Sequence, residues 1–534
     1  MFEHDAMIGD PRVLPSGVPL GAVSAFDDRV VELMGGEPIA VGSHSKGRIP
    51  TGRRVSTPFG RMKGSWMTSY DVVVIGGGAG GLVAAKEARR RGASVVIVQD
   101  GPLGGDCTFT GCVPSKALLA AAAQGNSFDE AMTRVHAAVD DIAATEDAAA
   151  LAREGIDVIA GYARFRNPAS VDVDGTTVRS KRFIVATGSR PLIPAIQGLR
   201  ESIPLTNETL FQLDERPTSL AILGGGPIGC EMAQAFARLG SRVTLIEAAA
   251  RLLPREEPEA SAVIAAALAR DGVTVRVGYP ATLVERGPDG TICVHTETGE
   301  SIAATHLLAA IGRAPSGRGF GLDEIGVVID KRGAITVDDT MATNIGGIWA
   351  VGDVTGRLQF THVAGRMGWI ATANALSKLA RVRRFRLDTR AIPWATFTSP
   401  EVAHVGLTEA EAAERHPDAR VAHLPLTHVD RAVAVGATEG FVTLIAAPRR
   451  GTRHLAGGRL VGATVVAPTG GELIHEAALA MQTNMFVGRL AQTTHAYPTW
   501  SMAIQQAALQ FFGESAGLRA RPVCAAQTQH GPTK

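Results

Sequence analysis

The sequence predicts an α/β protein with two Rossmann-like nucleotide-binding units and a separate C-terminal α+β domain. Three observations predict it. The apolar run Val72–Ile75 passes through Gly76-Gly77-Gly78-Ala79-Gly80-Gly81 into a helical pattern that lasts to Arg90. The same plan recurs at Leu220–Leu223, with Gly224-Gly225-Gly226-Pro227-Ile228-Gly229 as its turn. From about residue 391 the character changes to runs that read as an antiparallel sheet.

Taken in order, residues 1–68 are rich in Gly, Pro, Ser and Arg and lack periodicity, the composition of a disordered N-terminal extension. They hold no Cys, which excludes a thiolate metal-carrying module there. Val72–Ile75 reads as a buried strand and Ser94–Val98 as the next one. In the second unit, Leu220–Leu223 and Arg242–Ile246 read as strands around a helix over Cys230–Leu239. Glycines at Gly76, Gly78 and Gly81, and at Gly224, Gly226 and Gly229, let the chain turn tightly. They also bring backbone N–H groups up to a pyrophosphate and let helix pack on strand. One such match is weak; two, each between a strand and a helix, imply two dinucleotides. Further on, Thr396–Thr398, Phe441–Ile445 and Leu460–Val466 read as strands, and Gly471–Met481 as an amphipathic helix. Residues 517–534 read as a mobile polar tail.

Bulk properties narrow the class. The 534 residues suffice for several domains, and a net charge of +1 offers no field to attract nucleic acid or an anionic membrane. No apolar stretch reaches membrane-spanning length, and the N-terminus lacks the pattern of a secretory signal. Five cysteines in so long a chain are not a secreted disulfide framework, so a cytoplasmic setting is expected.

The chemistry concentrates in Gly104-Gly105-Asp106-Cys107-Thr108-Phe109-Thr110-Gly111-Cys112-Val113-Pro114-Ser115-Lys116. Two thiols with four residues between them can close a small ring. A thiol near a helix N-terminus has its thiolate stabilised by the dipole, which marks a redox thiol rather than a staple. Glu247, at the end of the second unit's second strand, stands where a carboxylate accepts from an adenosine ribose. It would repel a 2′-phosphate, so NADH is expected over NADPH, with NADPH still possible because of Arg251 nearby. The first unit has Gln99, then Asp100, at the corresponding place. Cys230 and Cys293 read as packing residues, and Cys524 stands alone in the tail.

The cysteine run, both glycine turns, Ala186-Thr187-Gly188, Ile311-Gly312-Arg313 and Val351-Gly352-Asp353 together resemble the class I pyridine nucleotide-disulfide oxidoreductases, which include mercuric reductases, dihydrolipoyl dehydrogenases and glutathione reductases. The resemblance runs from about Tyr70 to about Gly513. It implies FAD on the first turn and NAD(P)H on the second. It also implies FAD-binding segments at 69–214 and 338–390, an NAD(P)-binding domain at 215–337, and a dimerisation domain at 391–516. Cofactor contacts are then expected from Gly105, Lys116, Thr187, Gly188, Gly312 and Asp353, with Asp353 on the flavin's ribityl chain. Lys116 and Glu231 are expected to pair beside the flavin. Cys112, at the helix start, is expected next to the isoalloxazine, and Cys107 is the expected interchange thiol. No metal site is expected.

One segment departs from this pattern. Within Thr494-His495-Ala496-Tyr497-Pro498-Thr499-Trp500-Ser501-Met502, disulfide-reducing members carry a His where this chain has Tyr497 and a Glu where it has Met502. That His is the acid/base, supplied to the dithiol of the partner subunit, and Tyr is a poor base at neutral pH. In an extended strand His495 would share a face with Tyr497 and could stand in for it. Tyr at this place resembles the mercuric reductases, although their paired C-terminal cysteines are reduced here to Cys524. The expected activity is therefore an FAD-dependent NAD(P)H oxidoreductase, homodimeric, which passes electrons through Cys107–Cys112 to a soft metal ion, a small disulfide or a quinone. A dihydrolipoyl dehydrogenase with an altered acid/base and a non-catalytic flavin redox sensor are the alternatives.

Overall fold

The computed structural model describes residues 68–377, 384–449 and 451–524. The expected extension before Thr68 and the end of the tail, 525–534, lie outside the described residues.

Three sheets organise the chain. In the first, five parallel strands run in the order Ile348–Ala350, Phe183–Val185, Val72–Ile75, Val95–Gln99 and Asp157–Ala160. Its central strand is covered on both faces, with Val72, Val73 and Val74 fully buried, which is why it reads as an unbroken apolar run. Its edge strand Ile348–Ala350 arrives after the whole second unit, so Asp353 returns to the first nucleotide turn from far along the chain. The second sheet is parallel too, in the order Thr274–Val277, Arg242–Glu247, Ser219–Leu223 and His306–Ala309. The third is antiparallel, in the order Pro393–Thr396, Glu401–Gly406, Arg459–Ala467, Phe441–Ala447, Arg420–Pro425 and Arg521–Pro522. One core joins Val442, Leu444 and Val465 of that sheet to Ile474 and Ala477 of the helix Gly470–Gln482.

The two nucleotide turns are built alike. Gly76 and Gly224 hold φ of +104° and +107°, a region that only glycine visits freely. A Cβ at Gly81 would sit 1.9 Å from the Gly76 carbonyl oxygen, and one at Gly229 would sit 1.8 Å from that of Gly224. The last glycine of each turn is therefore required by strand-to-helix packing. A third close approach lies between helices Ala79–Arg90 and Thr361–Leu376, where a Cβ on Gly368 would fall 2.3 Å from the Gly80 carbonyl oxygen.

Some boundaries differ from the sequence reading. The helix expected from Cys230 begins at Pro227, where a fixed φ suits the first helical position. The strand expected at Thr396–Thr398 is Pro393–Thr396. Residues 517–524 are not free: Arg521–Pro522 pairs with Arg420–Val421, and Arg521 forms an ion pair with Glu409. The Cys524 N–H donates to the same Glu409 carboxylate at 3.0 Å. Cys293 is half-buried rather than core, on a strand whose alternate residues are the buried ones. Among the described residues, no helix is long and apolar enough to cross a membrane.

Candidate active site

A single cavity of about 1500 Å³ runs from the first nucleotide turn past both cysteines to the second turn. It exceeds the roughly 300–1,000 Å³ of an ordinary small-molecule site. Its lining includes Gly76, Gly78, Gln99, Asp100, Gly105, Cys107, Cys112, Lys116, Thr187, Gly188, Gly224, Gly226, Glu231, Glu247, Gly312 and Asp353. The expected cofactor-contact residues thus share one space, apart from Gly81 and Gly229, which serve the packing described above.

The dithiol is held by two short loops and two helix starts. Gly104 forms a bridge with Gly78, and a Cβ on Gly105 would lie 2.9 Å from the Gly78 Cα. This contact pins the cysteine run against the first turn. Cys107 lies inside the short helix Gly105–Phe109, and Cys112 is the first residue of the helix Cys112–Ala123. Gly111 caps that second helix without a side chain, so its first N–H groups stay open and favour negative charge beside them. Both thiols are free; Cys107 is half-buried, and Cys112 is exposed to the cavity. They hydrogen-bond to each other and titrate as a pair. The hydrogen bond from Cys107 lowers the Cys112 thiol below the usual range, with Thr361 and the Lys116 charge adding to it. The same bond, and then burial, pushes Cys107 up. The pair's negative charge therefore sits on Cys112, whose Sγ is 3.3 Å from Thr361 Oγ1.

One turn beyond Cys112, Lys116 Nζ stands 2.9 Å from Glu231 Oε2. Glu231 Oε1 accepts from the Phe397 N–H at 2.9 Å, and the ammonium lies 4.4 Å from the Phe397 ring centroid. With its side chain only 5% exposed, Glu231 would be an uncompensated buried charge without these partners.

The strand-end residues act on their own turns. Gln99 Oε1 accepts from the Gly77 N–H at 2.6 Å, and Glu247 Oε2 accepts from the Gly225 N–H at 2.5 Å. Gln99 donates to the carbonyls of Asp100 and Pro102, which leaves Asp100 as the exposed carboxylate there. Arg251 donates to the carbonyls of Pro254 and Glu256 and to Ser261 Oγ. Asp353 accepts from Ser189 Oγ at 2.7 Å and lies 3.8 Å from Arg313; burial raises its pKa. Cys230 is fully buried and donates to the Gly225 carbonyl.

The residues present fit two dinucleotides. A Cβ at Gly78 would meet only Gly105 Cα, at 3.9 Å, and one at Gly226 would meet nothing within 4 Å, so both middle glycines open into the cavity. Both following helices begin without a side-chain cap and direct free N–H groups to the place where a diphosphate would lie.

The C-terminal segment is placed differently. Neither Tyr497 nor His495 is among the described residues that line this cavity in the same chain. Tyr497 is 68% exposed, and its hydroxyl donates to Asp430 Oδ2 at 2.9 Å. His495 does not share its face. Its side chain is 7% exposed, with Nδ1 at 2.8 Å from the Thr493 carbonyl and Nε2 at 3.1 Å from Glu476 Oε1. Residues 494–496 are not a strand, so the alternation that would align the two rings does not apply. Sequence reasoning missed Thr361, Phe397 and Asp430; only Thr361, just after Asp353, lay near a recognised motif.

The chain matches the pyridine nucleotide-disulphide oxidoreductase family over residues 70–368 and that family's dimerisation domain over residues 392–508. A mercuric reductase from Streptomyces lividans is 39% identical over 476 residues, covering 84% of this chain and 98% of the relative. A dihydrolipoyl dehydrogenase from Thermus scotoductus is 33% identical over 461 residues, covering 83% and 97%. Among solved structures, the Cu(II) complex of the HOCl-induced flavoprotein disulfide reductase RclA from Escherichia coli is similar at a TM-score of 0.76 and 30% identity, covering 83% of this chain and 99% of that one. LpdA from Mycobacterium tuberculosis is similar at a TM-score of 0.73 and 30% identity, covering 83% and 99%. With the dithiol, both nucleotide turns and the C-terminal sheet accounted for along its length, this chain belongs to the pyridine nucleotide-disulphide oxidoreductases, enzymes that work with FAD and NAD(P)H.

Proposed function

We propose that this enzyme oxidises NADH and passes the electron pair through Cys107 and Cys112 to a soft metal ion, a small disulfide or a quinone. The observation that carries this reading is the Cys112 thiolate position, at an open helix N-terminus on a cavity shared with both nucleotide turns. Bound FAD would supply the two-electron link between the nicotinamide and the disulfide. Gly78, Asp100, Thr187 and Asp353 would hold it, and Lys116 with Glu231 would fix the charge balance beside it. Cys107 is the thiol that meets the acceptor, giving up its proton as it attacks, and Cys112 holds the charge of the reduced pair until then. Overall, NADH, a proton and the disulfide give NAD⁺ and the dithiol, and the acceptor restores the disulfide.

NADH is preferred over NADPH because the Glu247 carboxylate, at the end of its strand on the cavity wall, would repel a 2′-phosphate. In the homodimer, Tyr497 of the partner subunit completes the dithiol site. The similarity to a dihydrolipoyl dehydrogenase keeps lipoamide as the second acceptor to test.

Anaerobic titration of the flavin-loaded enzyme with NADH and NADPH tests the reading. A long-wavelength band should grow over the first two electrons, at lower concentrations of NADH. Cys112→Ser should lose that band and at least about a thousandfold of acceptor turnover while retaining the flavin. An unchanged band in this variant would overturn the assignment.

A further inference from the structure

Arg313 gathers the groups around the dithiol loop. It opens the strand Arg313–Pro315, which pairs with Ser189–Pro191. Its half-buried guanidinium donates to Asp106 Oδ2, to Asn207 Oδ1 at 3.2 Å, and to the Ser189 hydroxyl and carbonyl at 2.7 and 2.9 Å. Asn207 passes the contact on: its Nδ2 donates to the Thr110 carbonyl at 3.2 Å and lies 3.3 Å from Thr110 Oγ1. Ser189 Oγ in turn donates to Asp353. Asp106 immediately precedes Cys107, and Thr110 lies between the two cysteines. All of these residues line the cavity. One cation therefore holds both arms of the cysteine loop, and through Ser189 it reaches the carboxylate expected on the flavin.

Reduction by a hydride equivalent breaks the S–S bond, S–S + H⁻ giving SH + S⁻, with the proton on Cys107 and the charge on Cys112. The two sulfurs are then no longer bonded, and the loop that joins them must accommodate the change. The network stands formed around two free thiols, so its tethers fit the dithiol state. We propose that Asp106 and Asn207 are positioning residues of the dithiol, that both act through Arg313, and that together they favour the dithiol over the disulfide. Asp106 anchors the arm that carries Cys107. Asn207 anchors Thr110, on the arm that leads to Cys112. The Thr110 N–H donates to the Asp106 carbonyl at 2.9 Å, so the two anchors also brace each other. The inference rests on the reading that Cys107 and Cys112 are the redox pair. It adds to that reading the residues that set how readily the pair is reduced.

The test equilibrates flavin-loaded enzyme anaerobically with graded ratios of reduced to oxidised dithiothreitol, and measures free Cys107 and Cys112 by quenched alkylation. Asp106→Ala and Asn207→Ala should each need about a fivefold higher ratio for half-reduction, the worth of one hydrogen bond. The double variant should need less than the product of the two, because both act through one guanidinium. Asp106→Asn keeps an acceptor for Arg313 and should stay within about twofold of wild type. Flavin content and the rate of flavin reduction by NADH should be unchanged throughout, which a general loosening of the cavity would not spare. Wild-type equilibria in both alanine variants, a shift towards the dithiol, or Asp106→Asn displaced as far as Asp106→Ala would overturn the proposal. Lost flavin or slowed flavin reduction would overturn it too, since the network would then serve the cofactor. A wild-type enzyme that takes up electrons on its flavin alone would show that the cysteines are not a redox pair, which removes the proposed function together with this inference.

Discussion

The run from Gly104 to Lys116 keeps the pattern that the sequence resemblance implies, whereas the segment from Thr494 to Met502 departs from it at Tyr497 and Met502. Around the dithiol every part is present: the open helix N-terminus, Thr361 on Cys112, Lys116 on Glu231. In the C-terminal segment Tyr497 and Met502 stand where the resemblance leads one to expect a His and a Glu, and the nearby His495 is turned inward onto Glu476. The contrast separates two tasks. On the proposed function, the residues that would carry electrons to the dithiol are all in place, whereas those that would handle the acceptor's proton differ.

Three substitutions sharpen the comparison. The largest effect is expected from Lys116→Met, which strips the counter-charge from buried Glu231 and from the thiolate. Stopped-flow reduction by NADH should slow by about ten- to a hundredfold, at the low end because Lys116 is partly exposed. The pH midpoint for alkylation of Cys112 should move up, since a cation that lowers the thiol has been removed. Next, Tyr497→His should raise lipoamide turnover several-fold and leave reduction by NADH untouched; equal gains with Hg²⁺ would break the division of tasks. Smallest is Thr361→Val. It removes one hydrogen bond to Cys112, so the thiol rises and the thiolate fraction near neutral pH falls, by about two- to fivefold in iodoacetamide reactivity at pH 7. No change there would mean that Cys107 and the helix start hold the charge unaided.

Much of the dithiol region was legible because its signals are local. Glycines that must turn, a strand that is apolar on both faces and cysteines beside a helix start all announce themselves within a few residues. What sequence could not supply was the long-range pairing. Thr361 reaches Cys112 across 249 positions, Phe397 caps Glu231 across 166, and Asp430 meets Tyr497 across 67. The misread tail has the same origin: residues 521–524 look polar and free, but an unfilled sheet edge and Glu409 give them partners. His495 was misjudged for a different reason, because strand alternation was applied to a stretch that is not a strand.

The backbone contact between Gly80 and Gly368 ties these matters together mechanically. One helix begins at the phosphate-facing turn, and the other begins at the threonine beside the reactive sulfur. Thr372 Oγ1 donates to the Ala84 carbonyl across the same pair, so backbone contact and a hydrogen bond both join the two helices. The turn that would grip the cofactor and the hydroxyl beside Cys112 therefore stand on one packed helix pair.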